Sequence, residues 1–176
     1  EADDIIGTIA DQATRGEIEN PDREKQKNNS QDSISNLNSF DNIVIVTGDR
    51  DLLQLVDDKK GVKLYMPING LSNAKLYNSV TAEERMGVPP SQISDLKALV
   101  GDASDNYPGV SGIGPKTAQK LLKDYQSIDN IYTHLDDISP NIRTKLVSGK
   151  DQAKLFHRIA TVVRNVPIQI DFPQMS

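Results

Sequence analysis

The chain has 176 residues, a formal net charge of −5 and no cysteine. That length can bury one real core, or one core with a small appendage. The lack of cysteine excludes disulfides and thiolate zinc sites and suits a reducing cytoplasm. No apolar run approaches the roughly 18 residues of a membrane span.

The charge is unevenly spread. Residues 1–60 are net −7, residues 61–108 net −1 and residues 109–176 net +3. Acid at the front and base at the back suit a cation-dependent site beside a nucleic-acid footprint. An uneven solvated surface accounts for the same numbers.

Glu1-Ala-Asp-Asp4 opens the chain, and apolar positions 5, 6, 9, 10 and 13 follow the helical period. The acids then occupy a first helical turn, where the macrodipole favours anions. The charged triplet, with no strand or cap before it, leads us to expect that the natural protein extends further on the N-terminal side. From Glu17 to Asn42 the chain is polar and reads as a mobile insertion.

Ile43-Val-Ile-Val-Thr47 is a β-branched run expected as a parallel strand buried on both faces. It leads into Asp49 and Asp51, and then into a helix bearing Leu52, Leu53, Leu55 and Val56. Ligands of open α/β sheets bind beyond the carboxyl ends of strands. Helix capping explains one of these aspartates but not both.

Residues 62–65 and 74–77 flank Asn69-Gly70 as a hairpin. Thr81-Ala-Glu-Glu is a capping box, and Ser91 caps a second helix carrying Ile93, Leu96, Leu99 and Val100. No chemistry is assigned to these elements. Short helices are expected over 117–125, 127–135, 140–147 and 151–163, followed by an extended tail or final strand at 166–170.

Between them lies Val100-Gly-Asp-Ala-Ser-Asp-Asn-Tyr-Pro-Gly-Val-Ser-Gly-Ile-Gly-Pro-Lys-Thr-Ala118. Asp102 and Asp105 sit three apart in a loop, where they can share a divalent cation. With Glu1, Asp3, Asp4, Asp49 and Asp51 they form an oxygen-only donor set, which favours Mg²⁺ or Mn²⁺ over zinc. Two such ions about 3.5–4 Å apart can activate water against a phosphodiester. The second half fits a helix–hairpin–helix turn. Gly109, Gly112 and Gly114 allow close approach and positive φ, backbone N–H groups then face a phosphate, and Lys116 and Thr117 add a charge and a hydroxyl. Carbonyls of the same turn can hold a monovalent cation. The spacing does not match a P-loop. His134, His157, Tyr107 and Tyr125 are read as surface or packing residues.

Glu1-Ala-Asp-Asp4, Thr47-Gly-Asp-Arg-Asp-Leu-Leu-Gln-Leu-Val56, Ala98-Leu-Val-Gly-Asp-Ala-Ser-Asp-Asn106 and Pro108-Gly-Val-Ser-Gly-Ile-Gly-Pro-Lys-Thr-Ala118 together resemble, in order, the motifs of the 5′→3′ exonuclease and flap endonuclease family. The likeness is greatest to the nuclease domain at the N-terminus of bacterial DNA polymerase I. It runs from Glu1 to about Asp171 and implies an α/β PIN-like nuclease core with a parallel sheet and a helical DNA-binding appendage. The division it suggests is a partial core over 1–106, a helix–hairpin–helix region over 107–165 and a tail over 166–176.

It further implies metal-ligand roles, direct or through water, for Glu1, Asp3, Asp4, Asp49, Asp51, Asp102 and Asp105. Gly109, Val110, Gly112, Ile113, Gly114, Lys116 and Thr117 would contact duplex DNA, with a potassium ion at the turn. The expected partner is DNA with 5′ ends or flaps, met by a monomer in the bacterial cytoplasm at the nucleoid; the resemblance allows a polymerase domain as a covalent C-terminal neighbour, and the sequence does not say whether one follows. The family's earlier aspartate-bearing strand and basic arch do not precede Glu1, so the isolated chain is expected to show little activity. A non-catalytic DNA-binding module and a PIN-type ribonuclease are the alternatives.

Overall fold

The computed structural model describes residues 2–18, 40–67 and 73–168. Its chain forms two compact units, residues 1–78 with 162–176, and residues 79–161. Glu1, the centre of the polar insertion, the Asn69-Gly70 turn and the end of the tail lie outside the described residues.

The first unit begins with α1 (Ala2–Thr14). The expected helix is there, and Ala10 and Ala13 of the expected stripe are buried, but Gly7 and Thr8 join them in place of the isoleucines, and Ile5 is exposed. Close approach is the reason, since a Cβ on Gly7 would meet Val162 Cγ1 at 2.6 Å. Small side chains let the neighbouring backbone come near, which the isoleucines cannot do.

Strand β1 (Ile43–Val46) pairs parallel with β2 (Val62–Met66), and β2 pairs antiparallel with β3 (Lys75–Tyr77), in the order β1-β2-β3. The parallel pairing and the hairpin are those expected from the sequence. Burial of β1 on both faces is not found. Ile45 points into the core, whereas Val44 and Val46 are 49% and 64% exposed. Among the described residues, β1 is covered on one face only.

After β1 the chain makes a 3₁₀ turn over Arg50–Leu55 rather than an α-helix, with Leu52, Leu53 and Leu55 buried. Residues 162–168 form no strand and are tied to the first unit by hydrogen bonds. The Val162 N–H donates to Gln54 Oε1 at 3.0 Å, and the Val166 N–H to Thr8 Oγ1 at 3.1 Å.

The second unit is helical: α2 (Ser79–Met86), α3 (Ile93–Val100), α4 (Pro115–Tyr125), α5 (Ile128–Thr133), α6 (Pro140–Ser148) and α7 (Lys150–Ala160). Helix α2 starts two residues before the expected Thr81, directly after Asn78, a residue type that caps well. Ser91 lies inside a 3₁₀ turn over Pro90–Gln92, and α3 begins only at Ile93.

Helix α3 is the centre of this unit, with every residue from Ile93 to Leu99 buried, Asp95 and Lys97 included. Buried charges need partners. Asp95 Oδ1 accepts the Ile128 N–H at 3.3 Å and faces His157 Nε2 at 3.1 Å, so one carboxylate joins α3, α5 and α7.

The hydrogen bond to Asp95 raises the His157 pKa; burial opposes the rise, and the charges of Asp95 and Asp129 add to it. A raised folded-state pKa contributes stability that is full below the unfolded value, about 6.5, and is lost as pH rises through the folded value. His157→Gln is therefore expected to lower the melting temperature more at pH 6 than at pH 9. Equal losses at the two pH values would contradict this. Among the described residues, no helix is long and apolar enough to cross a membrane.

Candidate functional site

The carboxylates of the first unit stand at element ends. Asp3 and Asp4 fall in the first turn of α1, where Asp4 Oδ1 accepts the Val163 N–H at 2.8 Å. At the carboxyl end of β1, Thr47 Oγ1 accepts the Asp49 N–H at 3.0 Å. Asp49 Oδ1 in turn accepts the Asp51 N–H at 2.8 Å, capping the 3₁₀ turn. Asp49 thus has a local structural use, and Asp51 is half-buried at the start of that turn.

In the second unit, Asp102 and Tyr107 close a loop with two backbone hydrogen bonds, Asp102 N–H to Tyr107 O at 2.9 Å and Tyr107 N–H to Asp102 O at 3.1 Å. The Tyr107 ring stacks on Phe156 with centroids 4.8 Å apart, so Tyr107 is a packing residue as read from sequence. Asp102 and Asp105 share this loop but differ in setting. Asp102 is 6% exposed. Its Oδ1 accepts from the Ser104 N–H at 2.8 Å and from Ser104 Oγ, and its Oδ2 lies 2.6 Å from Lys97 Nζ. Burial alone would raise the Asp102 carboxyl, but the bonds from Lys97 and Ser104 outweigh it and hold the group well below the usual carboxylate range. Asp105 has a side chain that is 53% exposed, with Oδ2 3.7 Å from the same ammonium.

Lys97 is the residue that sequence reasoning missed. The only signal was a lysine among the apolar residues of α3, five positions before Asp102, and such a lysine ordinarily reads as a solvated helix face.

The neck between loop and hairpin is a pair of facing glycines. Gly101 has φ +86 and Gly109 φ +66. A Cβ on Gly101 would lie 2.5–2.7 Å from the backbone of Tyr107, Pro108 and Gly109, and one on Gly109 would strike Val100 and Gly101. Gly109 is therefore required by packing against the carboxylate loop, whatever else it contacts.

Beyond the neck, Val110 and Ile113 are buried, and both amides are used internally: Val110 N–H donates to Leu99 O at 2.9 Å, and Ile113 N–H to Val110 O at 3.0 Å. These two residues anchor the hairpin. Both amides are thus engaged within the second unit. Lys145 Nζ donates to Gly112 O at 3.1 Å from α6.

Gly114 has φ −95 rather than the expected positive value, because it is the N-cap of α4 and takes the extended conformation that caps require. Lys116 is exposed and Thr117 half-buried in the first turn of that helix. His134 is exposed and bonded locally to Thr133 and Asn130.

Comparison with known proteins agrees with this architecture. The family model of the 5′-3′ exonuclease C-terminal SAM fold matches residues 88–176. DNA polymerase I of Caldicellulosiruptor bescii is 43% identical over 170 residues, which cover 97% of this chain and 17% of that protein. The 5′-3′ exonuclease of Bacillus subtilis is 39% identical over 168 residues, 96% of this chain and 48% of that protein. Among solved structures, the bacteriophage T5 D15 protein co-crystallised with metal ions superposes with a TM-score of 0.61 at 21% identity, over 70% of this chain and 44% of that one. This chain spans less than half the length of each of these proteins. The structural likeness shows the fold, a mixed α/β arrangement with a small, partly parallel sheet and a helical region. With half of its length matched by the family model, the chain belongs to the 5′-3′ exonuclease family.

Proposed function

We propose that the full-length protein is a divalent-metal-dependent, structure-selective 5′→3′ exonuclease and 5′-flap endonuclease that hydrolyses DNA phosphodiesters in replication and repair. The observation that carries this reading is the continuity of the second unit's functional segment. One glycine neck joins a carboxylate loop to an N-capped helix start with exposed Lys116. The donor chemistry fits hard cations, since Asp3, Asp4, Asp49, Asp51, Asp102 and Asp105 offer only oxygen, as does Glu1. The related bacteriophage T5 D15 flap endonuclease was solved with DNA and metal ions, which supports the same partners here.

In this reading the aspartates hold Mg²⁺ or Mn²⁺, directly or through water. Bound ions supply a water of lowered pKa and stabilise charge at the phosphate. Val110 and Ile113 fix the hairpin from inside. Gly112, Gly114, Lys116 and Thr117 meet the duplex backbone, and a potassium ion at the turn completes the contact. Such contacts read backbone and shape, not base sequence.

Lys116→Ala tests the grip. One lost phosphate contact should weaken duplex binding and reduce the slope of log K against log salt by about 0.9. An unchanged slope would remove Lys116 from the interface.

A further inference from the structure

Lys97 is 5% exposed, and lysine is almost never buried to this extent without paired partners. Its ammonium lies 2.6 Å from Asp102 Oδ2 and 3.7 Å from Asp105 Oδ2. It therefore sits between the two carboxylates that the preceding reading assigns to a divalent ion. Ser104 satisfies the other oxygen of Asp102, so the loop is held at both oxygens by its own chain. Without a cation between them, two carboxylates on so short a loop would repel and spread. With Lys97 in place the loop is set in advance, at the cost of one positive charge beside any arriving ion.

We propose that Lys97 is a positioning residue of the metal site. It acts through Asp102 and Asp105, holds the carboxylate loop in ligating form before metal arrives, and weakens divalent-ion binding by its charge. The inference rests on the metal-dependent reading above and adds to it a residue and a direction. The fixed charge keeps the ion loosely held. Divalent-ion affinity is thus set by an ammonium on a buried helix as well as by the ligand count.

The test is Mn²⁺ binding to the full-length protein, followed by calorimetry and by the melting temperature with and without Mn²⁺. Lys97→Gln keeps a hydrogen-bond donor near Asp102 and removes the charge. It is expected to bind Mn²⁺ at least about tenfold more tightly, to melt lower without metal, and to gain more from Mn²⁺ than the parent does. Lys97→Arg keeps the charge and should stay within about threefold of the parent. Should Lys97→Gln fail to fold, the smaller change Lys97→Arg and the apolar Lys97→Met carry the same comparison between charged and uncharged side chains.

Unchanged or weaker Mn²⁺ binding in the uncharged variants, with stability lost equally in both conditions, would overturn the proposal and leave Lys97 a structural ion pair. Asp105→Asn separates the two readings. If it abolishes Mn²⁺ binding while the uncharged Lys97 variants match the parent, only the Lys97 proposal fails. If the parent itself binds no Mn²⁺, the metal-dependent reading fails as well.

Discussion

Gly109→Ala is expected to lower the melting temperature of the protein by about 10 °C, whereas Gly114→Ala leaves it nearly unchanged. The two glycines sit five residues apart in one motif, and composition cannot tell them apart. At Gly109 the backbone has φ +66, and an added Cβ would lie 2.7 Å from Val100 O and closer still to Val100 C and Gly101 N. These neighbours are backbone atoms and cannot swing away. Left-handed strain of about 1–2 kcal/mol adds to overpacking of about 1–3 kcal/mol. For a chain of this size each kcal/mol is worth roughly 2–4 °C.

At Gly114 a Cβ meets nothing within 4 Å, and φ is −95. The remaining cost is the poorer capping of alanine, about 1 kcal/mol or less. Thermal melts of the two variants check the contrast. Equal melting temperatures would show that the neck is not closed as described.

Asp105→Asn is expected to reduce 5′-flap cleavage by the full-length protein about a thousandfold or more, while affinity for the flap duplex stays within about threefold. Asparagine keeps the size of the side chain and removes the charge that holds a hard cation. Several kcal/mol of charge stabilisation at the phosphate depends on that ion, and each 1.36 kcal/mol is a decade in rate. The residue suits the role because its carboxylate is half-exposed and lies beyond ordinary hydrogen-bond distance of Lys97. Binding should survive because Lys116 and the hairpin glycines lie past the neck, and Asp105 makes none of the hairpin's hydrogen bonds. Single-turnover cleavage and a separate binding titration measure the two quantities. A variant that cleaves at the parent rate would remove Asp105 from the site.

Much of the fold was legible because its signals are local. The β-branched run at 43–46 and the segments flanking the Asn69-Gly70 turn read as strands from residue type and turn signal. The helices of the second unit carry their own caps and stops, such as Pro115, Ser127 and Pro140.

What escaped depends on who packs against whom. The inward face of α1 is chosen by Val162, some 150 residues away, and favours Gly7 and Thr8 over the isoleucines. Val44 and Val46 look like core residues in any β-branched run, yet they are exposed because nothing among the described residues covers their face of the sheet. In the candidate site the residue types were readable and their division of labour was not. Asp102 and Asp105 are equivalent in sequence, yet Lys97 and Ser104 occupy one and leave the other half-exposed. Val110 and Ile113 belong to the hairpin motif, but their amides are engaged within the second unit.

Cleavage of a 5′-labelled flap duplex by the full-length protein, in Mg²⁺ and in excess chelator, tests the account most directly, with labelled single-stranded RNA run in parallel. The account predicts short labelled DNA products in Mg²⁺, none in chelator, and no RNA cleavage. Flap binding without cleavage in Mg²⁺, or cleavage that persists in chelator, would contradict it.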